Sequence, residues 1–548
     1  MPRAHALLRT AVIALLYIAS IASATADGAV DTDLGERIYR QGILSSGKLL
    51  EATREDGLRV EGTEAACINC HQHSGLGSRE GRISIPPITG RYLFHPRASS
   101  GEIQELPFVE GIRADRDPYT DATLARAIRD GLDSGGKPLH YLMPQFDLND
   151  TDMTALTAYL KRLGQRKSPG VTETVLHFAT IITPDADPVK AGGMLDVLEN
   201  YFAVKNTFPI GATPSLRSSR KMMFMANRHW QLHVWRLSGP PDSWQRQLER
   251  HLAEEPVLAV LSGMGGTTWA PIHTFCEHEA IPCIFPNVEV PPADADKDFY
   301  SLYFSKGLLL EAALIAQGIT DTTGDKSRKG EVHQIVRAGD NGEPAAQALT
   351  ASLEHQGITV RNHLIARHAA SQDIAAALGQ VAPEDILVLW LRPADLATLD
   401  TAHAGPASVF MSGLLGGLER APLPAAWRPG TRIAYPFNLP ELRRGSVDYA
   451  RGWFAIRRIP VVDEQVQADT YLACGLLAET LSHMSDTFVR DYLVERLQGM
   501  IEHRVVTGYY PHLALASGQR FASKGGYLVQ FSSDKGKGVV PVSGWIRP

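Results

Sequence analysis

The chain has 548 residues, 44% of them hydrophobic and 21% charged, with a formal net charge of -6. That length exceeds one ordinary domain and suits two or three. A slightly acidic balance without any basic run excludes a nucleic-acid or membrane-surface binder, and five cysteines are too few for an exported disulfide framework. At the N-terminus Arg3 and Arg9 precede an apolar stretch at 11–21, and Ala24-Thr25-Ala26 offers a small-x-small cleavage site before Asp27. These three parts make a secretory signal peptide over 1–26, cleaved after about Ala26; an uncleaved anchor is the competing reading. The apolar stretch falls short of the roughly 20 residues of a membrane span. No cysteine at the cleavage site invites a lipid, and no later segment reaches spanning length without charge. The mature chain is expected in the periplasm, with no integral membrane segment.

The first predicted element is a helix over 33–41, with Leu34, Ile38 and Tyr39 at helical spacing. Cys67-Ile68-Asn69-Cys70-His71 follows. Two thiols three positions apart, with histidine next, form a covalent haem-attachment pattern. Each thiol can add to one haem vinyl group, and the adjacent imidazole can then take an axial position. A redox CxxC or half of a zinc site is the alternative, against which the lack of a second CxxC counts. Ile85-Pro86-Pro87-Ile88-Thr89-Gly90 comes next. A capped amphipathic helix is predicted over 120–131, with Leu124 and Ile128 inward and Gly131 as its stop. Tyr141-Leu142-Met143-Pro144-Gln145-Phe146 precedes a last helix over 149–163, capped by Asn149 or Asp150, with Leu156, Tyr159, Leu160 and Leu163 inward.

Residues 31–167 resemble a class I cytochrome c, an all-α fold with one covalently attached haem c. The resemblance implies that a carbonyl of the proline-containing loop accepts the His71 Nδ1 proton, leaving Nε2 for iron. It implies that Cys67, Cys70, His71 and Met143 bind the cofactor, with His71 and Met143 as the axial pair; a thioether raises the potential relative to a second histidine. His140 is the competing sixth ligand. Met153 suits the helix core, and His73 and His95 read as ordinary loop histidines. Two protein ligands leave no position for oxygen or peroxide, so electron transfer is expected rather than catalysis, and no catalytic constellation is found.

Arg166-Lys167-Ser168-Pro169-Gly170 reads as a linker. Beyond it strands and helices alternate, the pattern of an α/β fold with parallel sheets. Strands are predicted at 175–182, 256–261, 281–285, 332–336, 359–364 and 385–391. Helices are predicted at 189–201, from about Pro271, at 345–356 and from Ala394. Residues 172–548 resemble the type I periplasmic solute-binding proteins, in particular branched-chain amino acid receptors of ABC transporters, with two lobes around a cleft. Three stretches carry that likeness: the small-residue loop 262–268, the strand–loop–helix at 332–356 and the run 517–527. A small-residue loop before a helix N-terminus exposes N–H groups and hydroxyls to a cleft. In the resembling family it holds a ligand carboxylate, which implies Ser262, Gly266, Thr267 and Thr268 here. A plain tight turn is the alternative. Asp340, Asn341 and Trp390 are candidates on the other lobe, and Glu419 is the candidate partner for a ligand ammonium. Cys276 and Cys283 are spaced for a disulfide or for two buried thiols, and Cys474 is expected in the core.

The expected function is an exported mono-haem cytochrome passing electrons between a periplasmic dehydrogenase, such as a quinoprotein, and a respiratory acceptor. Its solute-binding-like domain would sense a small molecule or dock a partner. The alternative is an ABC-transporter substrate-binding protein for a small amino acid or organic acid, with an accessory haem.

Overall fold

The computed structural model describes residues 27–80, 83–94, 116–164, 168–207, 228–323, 330–400, 405–406, 408–484, 487–516, 518–533 and 538–548. The signal-peptide stretch, His95 and linker residues Arg166 and Lys167 lie outside them. The chain divides into two compact units. The first runs to Ser168 and also takes in Thr487–Glu495; the second holds Pro169–Asp486 and Arg496–Pro548.

The first unit is built on the crossing of α1 (Asp27–Gln41) with the helix Asp150–Arg162. Gly35 makes the crossing possible, because a Cβ there would sit 2.3 Å from the Ala155 carbonyl oxygen. Ile38, Tyr39, Leu156 and Leu160 are buried at this contact, and the Tyr39 and Tyr159 rings lie 5.3 Å apart. Next come β1 (Glu51–Thr53), β2 (Arg59–Glu61) and α2 (Ile68–His71), the turn that carries the attachment motif. The hairpin β3 (Ser78–Glu80) and β4 (Ile83–Ile85) leads on to α3 (Asp121–Asp130). Thr120 and Thr123 cap α3 reciprocally at 3.2 and 2.8 Å, and Gly131 closes it in the left-handed region at φ 68°. After β5 (Gln145–Phe146), α4 (Asp150–Arg162) is capped by Asn149, whose side chain accepts from Asp152 N at 2.9 Å. The all-α expectation needs correction: β2, β1 and β5 form a three-stranded antiparallel sheet. Strands of two or three residues are too short to leave an alternating pattern in a sequence.

The second unit has two α/β lobes. One sheet is wholly parallel, in the order β10-β9-β8-β6-β7, from β6 (Val175–Ile182), β7 (His229–Arg236), β8 (Ala259–Leu261), β9 (Cys283–Ile284) and β10 (Ser301–Leu302). Helix α5 (Pro188–Asn206) follows β6, and α6 (Ala270–His278) follows β8. The other sheet runs β12-β11-β13-β14-β15-β16-β17. Its strands β11 (Val332–Arg337), β12 (Val360–Ile365), β13 (Ile386–Trp390), β14 (Ser408–Ser412) and β15 (Thr431–Tyr435) are parallel. Strands β16 (Tyr527–Phe531) and β17 (Val539–Pro541) add antiparallel pairs, a departure from the purely parallel expectation. Helices α7 (Leu308–Thr323), α8 (Gly342–His355) and α9 (Glu464–His483) complete the frame of the cleft. Strand β13 reads as a continuous apolar run, as suits a strand buried on both faces, and all five of its residues are buried; β11 carries His333 and Gln334 inside its buried stretch. Cys276 and Cys283 are buried with Trp235, Trp269 and Phe275 in the first lobe's core, and no disulfide joins them. Cys474 is free and buried on α9.

Glu311 on α7 is fully buried: the Ser412 hydroxyl donates to Oε2 and Leu414 N to Oε1 at 2.8 Å. Burial pushes its carboxyl up to about 8, against the smaller opposing effect of those hydrogen bonds. A folded pKa above the unfolded value gives stability that is complete below the unfolded pKa and is lost as pH rises through the folded one. Between about pH 5 and 8 the loss runs at up to about 1.4 kcal/mol per pH unit for one such group. Glu311→Gln is therefore expected to flatten the fall in melting temperature over that range and to melt above the parent at pH 8. Parallel pH profiles for the two proteins, measured by calorimetry, would show that Glu311 is ionised in the fold.

Candidate functional sites in the two units

In the first unit α2 is one turn long, with Cys67 as its cap and His71 N donating to Cys67 O at 2.9 Å. One turn carries both thiols and delivers His71 inward, where it is 5% exposed. Its Nδ1 lies 3.0 Å from Pro86 O. A carbonyl only accepts, so Nδ1 holds the proton and Nε2 keeps its lone pair. Burial lowers the imidazole to about 4, outweighing the raising effect of the Pro86 carbonyl, so the ring is neutral at pH 7. Two hydrogen bonds hold the residues just beyond: Tyr39 OH donates to Gln72 O at 2.6 Å, and Ser74 N donates to Glu495 Oε1 at 2.8 Å.

Met143 is half-buried and packs against the same apolar cluster as Cys67, Ile68 and Ile88. His140 is exposed, its Nδ1 accepting from Leu142 N at 3.3 Å and its ring against Tyr141. Met153 is a core residue of α4, and His73 Nδ1 lies 2.7 Å from Arg40 Nη1. Two thiols on one turn, a neutral buried imidazole with Nε2 available and a thioether in an apolar setting are the donor chemistry of a covalently held haem. Among the described residues no group of three His, Cys, Asp or Glu side chains could hold a metal ion, so the zinc alternative finds no further ligands there.

The second unit holds a cavity of about 610 Å³ between its lobes, at the C-terminal ends of the parallel strands, the usual place for ligands in such sheets. Gly266 and Thr267 line it; Ser262 and Thr268 do not. Ser262 is fully buried, paired with Thr470 Oγ1 at 3.3 Å and accepting from Asn287 Nδ2 at 2.9 Å. Thr268 Oγ1 accepts from Ala270 N at 3.3 Å, at the start of α6.

The donors of Gly266 and Thr267 are already used. Gly266 N donates to Thr183 Oγ1 at 2.9 Å, and Thr267 N and Oγ1 donate to Asp185 Oδ2 at 2.8 and 2.6 Å. Thr183 Oγ1 in turn donates to Asp185 Oδ1 at 2.7 Å. A Cβ at Gly266 would lie 2.3 Å from that carboxylate, so glycine is what lets Asp185 reach the loop. Burial opposes the charge, but the Thr267 and Thr183 hydrogen bonds outweigh it and hold Asp185 below the usual carboxylate range.

On the other lobe Asp340 and Asn341 line the cavity. Trp390 is core, its Nε1 donating to Gln334 Oε1 at 2.6 Å. Glu419 is bound to Arg443 and to the Tyr435 hydroxyl, both at 2.8 Å, away from the cavity lining. The expected roles of Trp390 and Glu419 at the cleft are thus corrected. Sequence reasoning missed Glu289, Arg392 and Asp469. Arg392 donates to Asp340 Oδ1 at 2.7 Å and to Glu289 Oε2 at 2.8 Å, while Asn341 Nδ2 donates to Gly266 O at 3.1 Å and to Glu289 Oε2 at 2.7 Å. These bonds tie β11 and β13 of one lobe to the loops after β8 and β9 of the other.

Residues 61–164 match the family model described as Cytochrome c, so the chain contains a cytochrome c domain, which implies covalently attached haem. No curated protein matches the chain. Solved structures similar to it include a fatty acid ABC transporter substrate-binding protein from Thermomonospora curvata, at 15% identity over 70% of this chain and 95% of that one, with TM-score 0.48. A leucine-binding protein from Thermotoga maritima is 11% identical over 68% of this chain and 99% of that one, with TM-score 0.49. A substrate-binding periplasmic protein from Ralstonia solanacearum is 13% identical over 67% and 99%, with TM-score 0.48.

Proposed function

We propose that this chain is an exported, single-haem cytochrome that transfers electrons in the periplasm and carries a solute-binding unit for a small molecule. The observation that supports this reading best is the α2 turn, where Cys67 and Cys70 lead into a buried, neutral His71 oriented by Pro86 O. When attached, haem supplies a one-electron iron centre. The residues then divide the work: Cys67 and Cys70 tether, His71 offers Nε2 from a fixed ring, and Met143 offers sulfur from the apolar cluster. Neither axial side chain needs to titrate near neutral pH, which suits transfer of an electron without a proton. The partners expected for such a centre are a periplasmic quinoprotein dehydrogenase and a respiratory acceptor. A second reading, a receptor delivering solute to an ABC permease, draws on the cavity of about 610 Å³ in the second unit.

The test is the matured protein. Its reduced-minus-oxidised spectrum should show one haem per chain that acidified acetone does not extract, and that carbon monoxide does not perturb. In the Cys67→Ala/Cys70→Ala double variant any haem present should become extractable. Covalent haem in that variant would place the attachment elsewhere, and ready carbon monoxide binding by the parent would favour a sensor or enzyme.

A further inference from the structure

The cleft of the second unit carries two features that bear on what it can hold. The first is Asp185, which takes the amide and hydroxyl of Thr267 for itself and reaches Gly266 N through Thr183 Oγ1. A ligand carboxylate brought to this loop would meet a resident carboxylate, with no free donor between them at Gly266 or Thr267; like charges at that range repel strongly.

The second is Asp469, on the first turns of α9, which lines the cavity although it is only 5% exposed. The Tyr510 hydroxyl donates to its Oδ2 at 3.1 Å. Oδ1 has no partner within hydrogen-bonding geometry, although the Gln465 side chain is close enough to lower the carboxyl. A buried carboxylate oxygen left open costs free energy that a donor in the cavity would recover. Its surroundings are aromatic. Tyr510 stacks on Phe304 at 5.2 Å and meets Phe437 edge-on at 5.5 Å, and all three rings line the cavity.

Charge around the cavity points the same way, with six carboxylates in the lining against four Lys and Arg side chains. Three of those cations are engaged: Lys190 with Asp463 at 3.4 Å, Arg337 with Asp395 at 2.6 Å, and Arg392 with Glu289 and Asp340. Arg367 stands exposed at the rim.

We propose that the cleft takes a small organic cation without a carboxylate, its charged nitrogen anchored on Asp469 Oδ1 and flanked by the Tyr510, Phe304 and Phe437 rings. A carboxylate with an open oxygen beside aromatic faces combines charge pairing with cation–π attraction. Burial pushes the empty Asp469 carboxyl up to about 7, with Tyr510 and Gln465 pulling the other way; a cation in the cavity would draw it back down. The inference rests on the solute-binding reading of the second unit and sets its ligand class.

Three probes built on one propyl chain separate the possibilities: butylamine, norvaline (the same amine bearing a carboxylate) and pentanoate (the carboxylate without the amine). Tetramethylammonium serves as a second cation. Calorimetric titration of the full-length protein should show butylamine or tetramethylammonium binding at least tenfold more tightly than norvaline, with no heat from pentanoate. Asp469→Asn, nearly isosteric and still able to accept from Tyr510, should weaken cation binding tenfold or more. Asp185→Ala should tighten norvaline relative to butylamine. Norvaline or pentanoate binding as well as the amine to the parent would overturn the inference while leaving solute binding intact. Silence from all four probes would overturn both. Full cation affinity in a folded Asp469→Asn protein would move the anchor elsewhere and overturn the assignment.

Discussion

Met143→Leu is expected to remove the near-infrared sulfur-to-iron band of the oxidised protein and to lower the haem potential by on the order of 0.1 V or more, since axial ligands span most of the range open to haem proteins. Leucine keeps the apolar volume that Met143 contributes beside Cys67, Ile68 and Ile88, so the fold of the first unit should survive. The variant should also become sensitive to carbon monoxide, because one axial position is vacated. The contrast is with His140, exposed and paired with the Leu142 amide at 3.3 Å. His140→Ala should leave band and potential unchanged. If Met143→Leu keeps its potential while His140→Ala shifts it, the axial pair is bis-histidine and the functional reading moves to a lower-potential carrier.

Removing Arg392 should have the largest effect on the second unit. Arg392→Ala leaves Glu289 and Asp340 facing a shared space without their cation, with only Asn341 still donating to Glu289. The Arg392 side chain is 41% exposed, so water screens part of the loss, and the expected cost is about 1–3 kcal/mol. That amounts to a melting shift of a few degrees for a unit of this size. Amide hydrogen exchange should quicken in the loops 262–268 and 338–342, where the lobes are joined. Unchanged exchange would mean that apolar packing, not this polar latch, holds the cleft in its present form. Arg392→Lys should recover only part of the stability, since one ammonium cannot match two carboxylates with a planar fork.

What was legible in the sequence was what local chemistry dictates. The attachment motif is readable because thiol spacing is fixed by a single helical turn. Thr120 and Gly131 announce the ends of α3 because a cap and a left-handed stop each demand particular residue types. Strand β13 stands out because it is apolar over five consecutive residues, and β6 because it is mostly β-branched and apolar. The remainder escaped for identifiable reasons. Strand β10 is two residues long, below any periodic signal, whereas the equally short β9 was caught within the apolar run 281–285. Helix α9 was anticipated only as a helix around Cys474, and its extent went unread because it is buried on most of its surface, Gln467, Asp469 and Thr470 included.

The cleft was legible only in part. Gly266 and Thr267 were found through the loop's composition, but Asp185, Glu289, Arg392 and Asp469 come from four distant segments that only the fold brings together. Asp185 carried one usable signal: a carboxylate just beyond the end of β6 is well placed to reach the next strand's loop. Glu419 failed as a guess because the Arg443 guanidinium and the Tyr435 hydroxyl claim its carboxylate.

The first unit is written in two places, its main stretch ending at Ser168 and a short piece at Thr487–Glu495 added much later. Ser74, three residues past the haem-motif histidine, receives its carboxylate partner Glu495 from that later piece. A chain emerging from the ribosome therefore holds every residue of the attachment motif long before it holds the last support of the loop beyond it. Haem can be offered to a motif that is already present while its surroundings are still incomplete, and the order of synthesis leaves that window open until residue 495 has arrived.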